Sequence, residues 1–491
     1  MDSRAQTLAN DPAGSQPTDP GSGPGPRPAP PTPPGSTLNI GPILARTTRH
    51  FFPDLRVWID NIKDPRDPLR ITYDKHFLVW FGLLLFVCKL SSRRQANYHL
   101  NADGPEVLHN LNRLAGTCQT TCPVDKTLEY FCRGIGSAPL IDLRHQAVNR
   151  LIRRKVLDQA RLQGRAVILV DGSGYLVFHH RHCAYCLTRQ HGDTTVYMHQ
   201  VLEAKLLGPG GTVFSIGTEF IDNRDAQGVP AGASEERLKQ DCELKALRRL
   251  LDKLRGEYPQ LRICLSGDSL FGCGEGFQIA KDYNCDYIYV FKPGRTPALW
   301  EEFQGLLKLC PDQRVDLETP KGSHQEYRWL NGLRYTDSVG RNWTTNSIKL
   351  TETDKGVNKT EWAWLTSLEV NHDTVNEVST TGGRGRWRIE NEGYNTQKNS
   401  GLNLEHAYSH TAWEVYYLLL QIAHMLLQLV EKGSLLRDLA QQCHKQTALA
   451  LFGSLRAMAE RLLDSLRYSC WPAAAFAVDA ARKIQIRLNS S

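Results

Sequence analysis

Three acidic residues, Asp171, Asp268 and Glu390, have the surroundings that a divalent metal site needs. Asp171 follows the apolar run 166–170 and precedes Gly-Ser-Gly, and Asp268 comes shortly after the apolar run 261–265. Magnesium prefers carboxylate oxygens. Two divalent ions held by such oxygens activate an attacking oxygen and stabilise a leaving one in phosphoryl transfer. The pattern therefore predicts a metal-dependent phosphoryl-transfer site with two Mg²⁺ or Mn²⁺ ions.

Glu390 lies in the segment RWRIENEGYNTQKN (386–399), for which the sequence predicts a helix. Regular helical spacing places Arg386, Glu390, Tyr394 and Gln397 on one face and Glu392 on the other. A carboxylate and a guanidinium on one stripe can hold metal and DNA phosphate together. Glu390 is therefore the predicted third metal ligand.

Each acidic residue has an ordinary structural explanation when it is considered alone. Asp171 and Asp268 could be turn residues, because aspartate favours turns. Glu390 could be a solvated helix residue. The occurrence of all three in order, with the motif around Glu390, favours the metal site.

The elements that carry these residues predict an α/β fold. The expected order is a strand (166–170), a hairpin (195–207 and 212–221), a helix (234–254), a strand (261–265), a helix and a strand (287–291). Ligands are held at the carboxyl ends of strands in open α/β sheets. This order resembles the ribonuclease-H-like fold, with both aspartates at or just beyond strand ends.

The rest of the chain divides by composition around this core. The predicted segments are a disordered Pro/Gly-rich tail (1–36), a helical basic region that could contact DNA (37–160), the first part of the core (161–291), a β-rich insertion (292–378), the catalytic helix that completes the core (379–410) and a helical C-terminal region (411–491).

The three motifs together resemble those of bacterial insertion-sequence DDE transposases of the Arg-Trp-x-Ile-Glu type, which carry a β-rich insertion domain. VDGSGY surrounds Asp171, LSGDSLF surrounds Asp268, and RWRIENEGYNTQKN contains Glu390. The resemblance covers roughly residues 50–430. It implies cleavage at transposon ends and joining of the 3′-OH to target DNA. It also implies that Arg386, Lys398 and Arg388 bind DNA.

Two positions depart from the family pattern. Gly383 stands where the family often has tyrosine, and Gln397 stands where a lysine is expected, with Lys398 next to it. Two other functions therefore stay open: a catalytically degenerate DNA-binding remnant of a transposase, and a stand-alone ribonuclease-H-like nuclease.

The remaining sequence features of this kind concern binding partners and cellular location. The net charge of +7, from 59 basic and 52 acidic residues, permits DNA binding without requiring it. Joining two ends predicts a homodimer on DNA. The apolar run Phe77–Cys88 is shorter than the roughly 20 residues of a membrane span, so we expect a buried helix. The N-terminus has no apolar h-region, so we expect a cytoplasmic protein with no membrane partner.

Cysteine and tryptophan residues give weaker signals. Cys183-x-x-Cys186 resembles half of a zinc site. Histidines flank it (His179, His180, His182 and His191), but no second ligand pair follows, and Cys118 and Cys122 are remote. The sequence therefore favours ordinary cysteines over zinc. Trp329 and Trp343 are expected to pack in a small β core rather than to stack on an unpaired base.

Overall fold

The computed structural model describes residues 39–101, 104–181, 183, 185–223, 242–354 and 358–477. The predicted tail, His182 and the start of the predicted helix at Ser234 lie outside the described residues. Within them, helices surround one large mixed sheet. The α/β class predicted from the sequence is confirmed.

Helices precede the sheet. They are α1 (Gly41–Phe51), α2 (Leu55–Asp60), α3 (Lys75–Val87), α4 (Arg93–Leu100), α5 (Glu106–Ala115), α6 (Asp125–Ile135) and α7 (Ala138–Arg153). Nearly every residue of α3 is buried, which confirms the predicted buried helix. Two basic side chains of the predicted basic region are ion-paired: Arg93 with Glu129 at 3.2 Å and Arg150 with Asp54 at 2.9 Å.

The sheet runs in the order β2-β3-β1-β5-β6-β10-β9-β8-β7, with β4 also paired to β3. The strands are β1 (Ala166–Phe178), β2 (Leu187–His191), β3 (Thr194–Leu207), β4 (Val213–Ile221), β5 (Ile263–Gly267), β6 (Asp286–Val290), β7 (Arg314–Glu318), β8 (Ser323–Thr336), β9 (Asn342–Asp354) and β10 (Asn358–Thr366). Helices α8 (Glu243–Glu257), α9 (Gly274–Asp282) and α10 (Pro297–Leu309) connect successive strands.

The first strand is longer than the sequence predicted. The expected Gly-Ser-Gly turn after Asp171 does not form, and β1 continues to Phe178. The reason is that β3 pairs with β1 well beyond the point where β5 ends, with Asp171 opposite Glu203. Asp171 therefore lies inside a strand, and the prediction that it ends one was wrong.

The predicted hairpin of β3 and β4 is present, with positive φ angles at Gly210 and Gly211. A second hairpin, of β2 and β3, was missed. It turns at Gly192, which also has a positive φ. Strand β2 has 5 residues, most of them polar, so apolar periodicity gave no signal.

The segment 292–378 contains β7 to β10 together with α10. Its last strand, β10, pairs antiparallel with β6. The β-rich segment is therefore hydrogen-bonded into the same sheet as the strands that carry the aspartates. Trp329 is buried within it, as expected. Trp343 is half-buried and donates a hydrogen bond to Asp337.

The segment 375–399 is helical throughout but irregularly wound. It comprises α11 (Val375–Glu377), a π-helical turn (Val378–Gly383), a 3₁₀ turn (Arg384–Arg386), a second π-helical turn (Ile389–Asn395) and α12 (Thr396–Asn399). π-Helical turns are rare and are frequent at functional sites.

Helices also follow this segment: α13 (Trp413–Glu431), α14 (Ser434–Gln442), α15 (Ala448–Phe452) and α16 (Leu455–Tyr468). By length and composition α13 could cross a membrane, but 89% of its most apolar window is buried inside the protein. It packs against α3 and β4 as the central helix of the core.

A buried polar network joins the sheet to helices α7 and α13. Glu203 of β3 accepts hydrogen bonds from Thr218 and from Tyr417 of α13, and its carboxylate lies 3.8 Å from the Lys205 ammonium. Arg144 of α7 donates to the same Thr218 hydroxyl. Burial lowers the pKa of Lys205 to about 8, and Glu203 counteracts this shift. Glu203 therefore partly balances the buried positive charge of Lys205 and Arg144.

Replacing Glu203 by glutamine tests this balance. We expect the free energy of unfolding to fall by about 3–5 kcal/mol, because Lys205 and Arg144 would lose a buried countercharge. Urea unfolding measures it. The control is Glu361→Gln, which removes an exposed pair with Lys349 and should change the value by less than about 1 kcal/mol. Equal stability of the two variants would refute the role of Glu203.

Candidate active site

The two aspartates lie side by side at one edge of the parallel part of the sheet. β1 and β5 run parallel, with Leu169 opposite Ser266. Asp171 follows two residues later within β1, and Asp268 follows two residues later in the turn just after β5, so the two side chains lie near each other. Neighbouring strands are about 4.8 Å apart. The sequence motifs predicted this juxtaposition because each followed a buried strand.

Asp268 begins the turn that follows β5. Its Oδ1 accepts a hydrogen bond of 2.9 Å from the Leu270 backbone N–H. The strand before it is fixed to the helical segment 375–399, because the Ser266 hydroxyl donates to the Gly382 carbonyl at 2.7 Å. Asp268 thus has a defined position beside the segment that carries Glu390.

The Arg386 side chain links Glu390 to Asp171. Its guanidinium is almost fully buried; Nη2 lies 2.7 Å from Glu390 Oε1 and Nη1 lies 3.8 Å from Asp171 Oδ2. Tyr394, one turn further along, donates its hydroxyl to the Asp171 carbonyl at 2.9 Å. The predicted common face of Arg386, Glu390 and Tyr394 therefore faces Asp171.

Gln397 does not share this environment. Its side chain is fully buried and hydrogen-bonds with Gln421 at 2.8 Å and His424 at 3.0 Å, both on α13. The π-helical turn between Glu390 and Gln397 changes the angular spacing that a regular α-helix would give. Gln397 fixes the segment to the core and offers nothing to a ligand at the surface.

The two other predicted DNA-binding residues lie in ion pairs away from the carboxylates. Arg388 pairs with Glu392 at 3.4 Å and its guanidinium covers Gly211 in the β3–β4 turn. Lys398 pairs with Glu405 at 2.8 Å. Trp387, between Arg386 and Arg388, is about half exposed. The sequence gave no reason to single it out.

Asp171 has an unusual environment for an acidic group. Burial raises its pKa to about 7; Arg386 lowers the pKa, whereas Glu390, Glu243 and Asp268 raise it. The repulsion shows that one guanidinium does not neutralise the negative charge collected here. Such a shift, from burial combined with like charges, is characteristic of functional sites.

Glu243 is a fourth carboxylate that the sequence did not reveal. It is the first residue of α8, and its carboxylate lies against the Gly172 α-carbon, where any larger residue would collide with it. Burial raises its pKa to about 7, and Asp268 raises it further. The predicted helix began earlier, at Ser234, so Glu243 looked like an interior helix residue.

The carboxylates are close but not compact. Among the described residues, one group of three potential metal ligands has all its ligand atoms within 4.8 Å of one another. This group is Cys183, Cys186 and His199. The three predicted metal ligands form no such group, and the Arg386 guanidinium contacts two of them.

No protein-family model and no curated protein matches the sequence. Among solved structures, the chain is similar to one described as the cryo-EM structure of the piggyBac transposase synaptic complex with hairpin DNA. The identity is 10%, the TM-score is 0.36, and the match covers 87% of this chain and 80% of that chain. A TM-score this low does not establish a common fold.

The variant Asp171→Asn tests whether ionisation of Asp171 destabilises the folded protein. The folded-state pKa of about 7 lies above the ordinary 3.8, so ionisation of Asp171 destabilises the metal-free fold progressively as pH rises from about 4 to 7. The variant avoids this cost and should be more stable than wild type at pH 8 by up to about 4 kcal/mol.

The measurement is urea unfolding with a chelator at pH 8 and pH 5, and the difference should shrink at pH 5. Asp158→Asn, which removes a surface pair with Arg161, serves as the control and should show no such trend. An Asp171→Asn protein that is less stable than wild type at pH 8 would contradict the expected cost of ionising Asp171.

Proposed function

We propose that the chain is a DNA transposase that cleaves transposon ends and joins the freed 3′-OH to target DNA by metal-dependent phosphoryl transfer. One observation carries the proposal: the Arg386 guanidinium lies 2.7 Å from Glu390 and 3.8 Å from Asp171. The motif resemblance requires these residues, which are far apart in sequence, to meet at one site. Asp268 joins them through the register of β1 and β5.

Divalent metal fits this site by its donor set and charge. Asp171, Asp268 and Glu390 would hold Mg²⁺ or Mn²⁺, since these cations take carboxylate oxygens. Burial, with a smaller contribution from the neighbouring carboxylates, raises the pKa of Asp171, so a bound cation would stabilise its ionised form. Two bound ions would supply an activated water and stabilise the leaving oxygen.

The protein's own side chains position the reactants. Arg386 holds Glu390 and Asp171 in place, and Tyr394 fixes the helical segment to β1. Arg388 and Lys398 would bind DNA phosphate. Their partly exposed ion pairs contribute about 0–1 kcal/mol each, so exchanging them for phosphate costs little.

The reaction consists of two phosphoryl transfers. Water attacks the phosphorus at the transposon end, and the bond to the 3′ oxygen breaks, which leaves a 3′-OH and a 5′-phosphate. The 3′-OH then attacks a phosphorus of the target, forming a new phosphodiester and releasing a target 3′-OH. No covalent enzyme intermediate is needed, because positioning and electrostatics supply most of the catalysis. Joining two ends calls for a homodimer on DNA.

A second function, a DNA-binding remnant without catalysis, is favoured by one observation. Gln397 occupies the position at which the family has a lysine, and it is buried against α13. A lysine there could not reach DNA in this arrangement. The neighbouring Lys398 must take over that contact for the chain to be active.

Cleavage of linear DNA carrying the ends of the chain's own element separates the two functions. With Mg²⁺ or Mn²⁺ the wild-type protein should nick at the end, and Glu390→Ala should lower the rate by about 10³-fold or more, because the variant loses transition-state charge stabilisation. Glu392→Ala is the matched control. It lies on the same turn but pairs with Arg388, and it should retain activity.

Gel-shift measurements on the same DNA complete the test. Binding by wild type and Glu390→Ala, with nicking by wild type alone, supports the transposase. Binding without nicking by wild type overturns it in favour of the remnant. Nicking at unrelated DNA sequences with equal rate would instead identify a stand-alone nuclease.

Glu243→Gln tests the fourth carboxylate. If Glu243 adds to the field that binds the cation, the Mg²⁺ concentration giving half-maximal cleavage should rise about 10- to 100-fold. Titration of the cleavage rate with Mg²⁺ measures this. Glu257→Gln, at the other end of α8, should leave the titration unchanged. An unshifted curve for Glu243→Gln would exclude Glu243 from the site.

A further inference from the structure

We propose that Cys183, Cys186 and His199 bind a structural zinc ion, separate from the carboxylate site. The Sγ atoms of the two cysteines lie 3.6 Å apart, and His199 Nε2 lies 3.4 Å from Cys183 Sγ and 3.6 Å from Cys186 Sγ. The two cysteines lie in the connection between β1 and β2, and the histidine lies on β3.

The strand register explains why these residues meet. Leu187, the first residue of β2, pairs with Met198 of β3. Cys186 therefore lies opposite His199, and directly opposite side chains in an antiparallel pair are about 5 Å apart at their β-carbons. The Cys-x-x-Cys turn then folds Cys183 back onto the same point. The sequence alone missed His199 because it lies beyond the unpredicted β2–β3 hairpin.

The three distances match tetrahedral zinc. Zn–S bonds of about 2.3 Å and Zn–N bonds of about 2.0–2.1 Å place two sulfur ligands about 3.8 Å apart in a tetrahedron. The same geometry separates sulfur and nitrogen by about 3.6 Å. The observed separations of 3.4–3.6 Å need little adjustment. Both cysteines are free thiols rather than a disulfide.

Cysteine binds metal as the thiolate. The Cys183 backbone N–H points at Cys186 Sγ at 3.4 Å. Two thiolates and an imidazole form a soft donor set that suits zinc.

The surroundings show what the ion would do. Asn223 holds the loop through its backbone N–H to the Tyr185 carbonyl at 3.0 Å and its side chain to the Cys186 carbonyl at 3.2 Å. The His199 ring packs on Trp413, the first residue of α13, with centroids 5.0 Å apart. Zinc would therefore tie the β1–β2 loop to β3 near the start of α13. His199 lies four residues, about 13 Å along the strand, from Glu203 opposite Asp171.

Metal analysis of the full-length protein tests the proposal. The protein is expressed with added zinc and purified in reductant without a histidine tag. We expect one zinc per chain in wild type and none in the double variant Cys183→Ser/Cys186→Ser. The matched control is Cys242→Ser/Cys470→Ser, which replaces two exposed cysteines and should keep the zinc. Wild type with no more zinc than the Cys183→Ser/Cys186→Ser variant overturns the proposal.

X-ray absorption at the zinc edge of the wild-type protein needs no variant and covers the case in which the double variant fails to fold. Two sulfur neighbours at about 2.3 Å and nitrogen at about 2.0–2.1 Å are expected. A shell of oxygen and nitrogen without sulfur would place the zinc elsewhere, for example at the carboxylates, and would overturn the assignment. Neither outcome depends on DNA cleavage.

Discussion

The guanidinium of Arg386 is the interaction on which the candidate active site depends. Asp171, Asp268, Glu390 and Glu243 bring like charges into a partly buried space, and burial is costly for each of them. Arg386 contacts two of these carboxylates at once. Together with the Tyr394 hydrogen bond to the Asp171 carbonyl, this contact holds Glu390 beside β1. The fold tolerates the remaining repulsion, as sites built to receive a ligand often do.

Near this site lies a second group of buried charged side chains, in which the positive charges outnumber the negative ones. Lys205 and Arg144 share the carboxylate of Glu203, which is opposite Asp171 across β1 and β3. Lys205 donates to Gln421, which also accepts from Gln397. The N-terminal helices, the sheet, the Glu390 segment and α13 thus meet in one hydrogen-bonded network. The geometry of the site is set by helices that contribute no ligand to it.

The sequence was informative where a local pattern was enough. Buried strands before Asp171 and Asp268 predicted that these two residues lie near each other, and helical spacing predicted the face from Arg386 to Tyr394 that lies towards Asp171. Prediction failed where pairing partners decide the structure. β1 continues past Asp171 because β3 accompanies it, and His199 reaches the cysteines because of a short polar hairpin. Glu243 was missed because its role depends on where α8 begins. Gln397 was predicted to lie on the wrong face because the π-helical turn alters the angular spacing.

The pairing of β10 with β6 bears on how this chain could change in evolution or by design. A β-rich insertion is usually pictured as a module that can be removed by joining its two ends. Here, excising 292–378 would leave β6 as an open edge, with the buried residues Tyr287, Ile288 and Tyr289 no longer covered from that side. Open strand edges recruit other strands. We therefore expect a shortened chain to aggregate before any change of function could be selected.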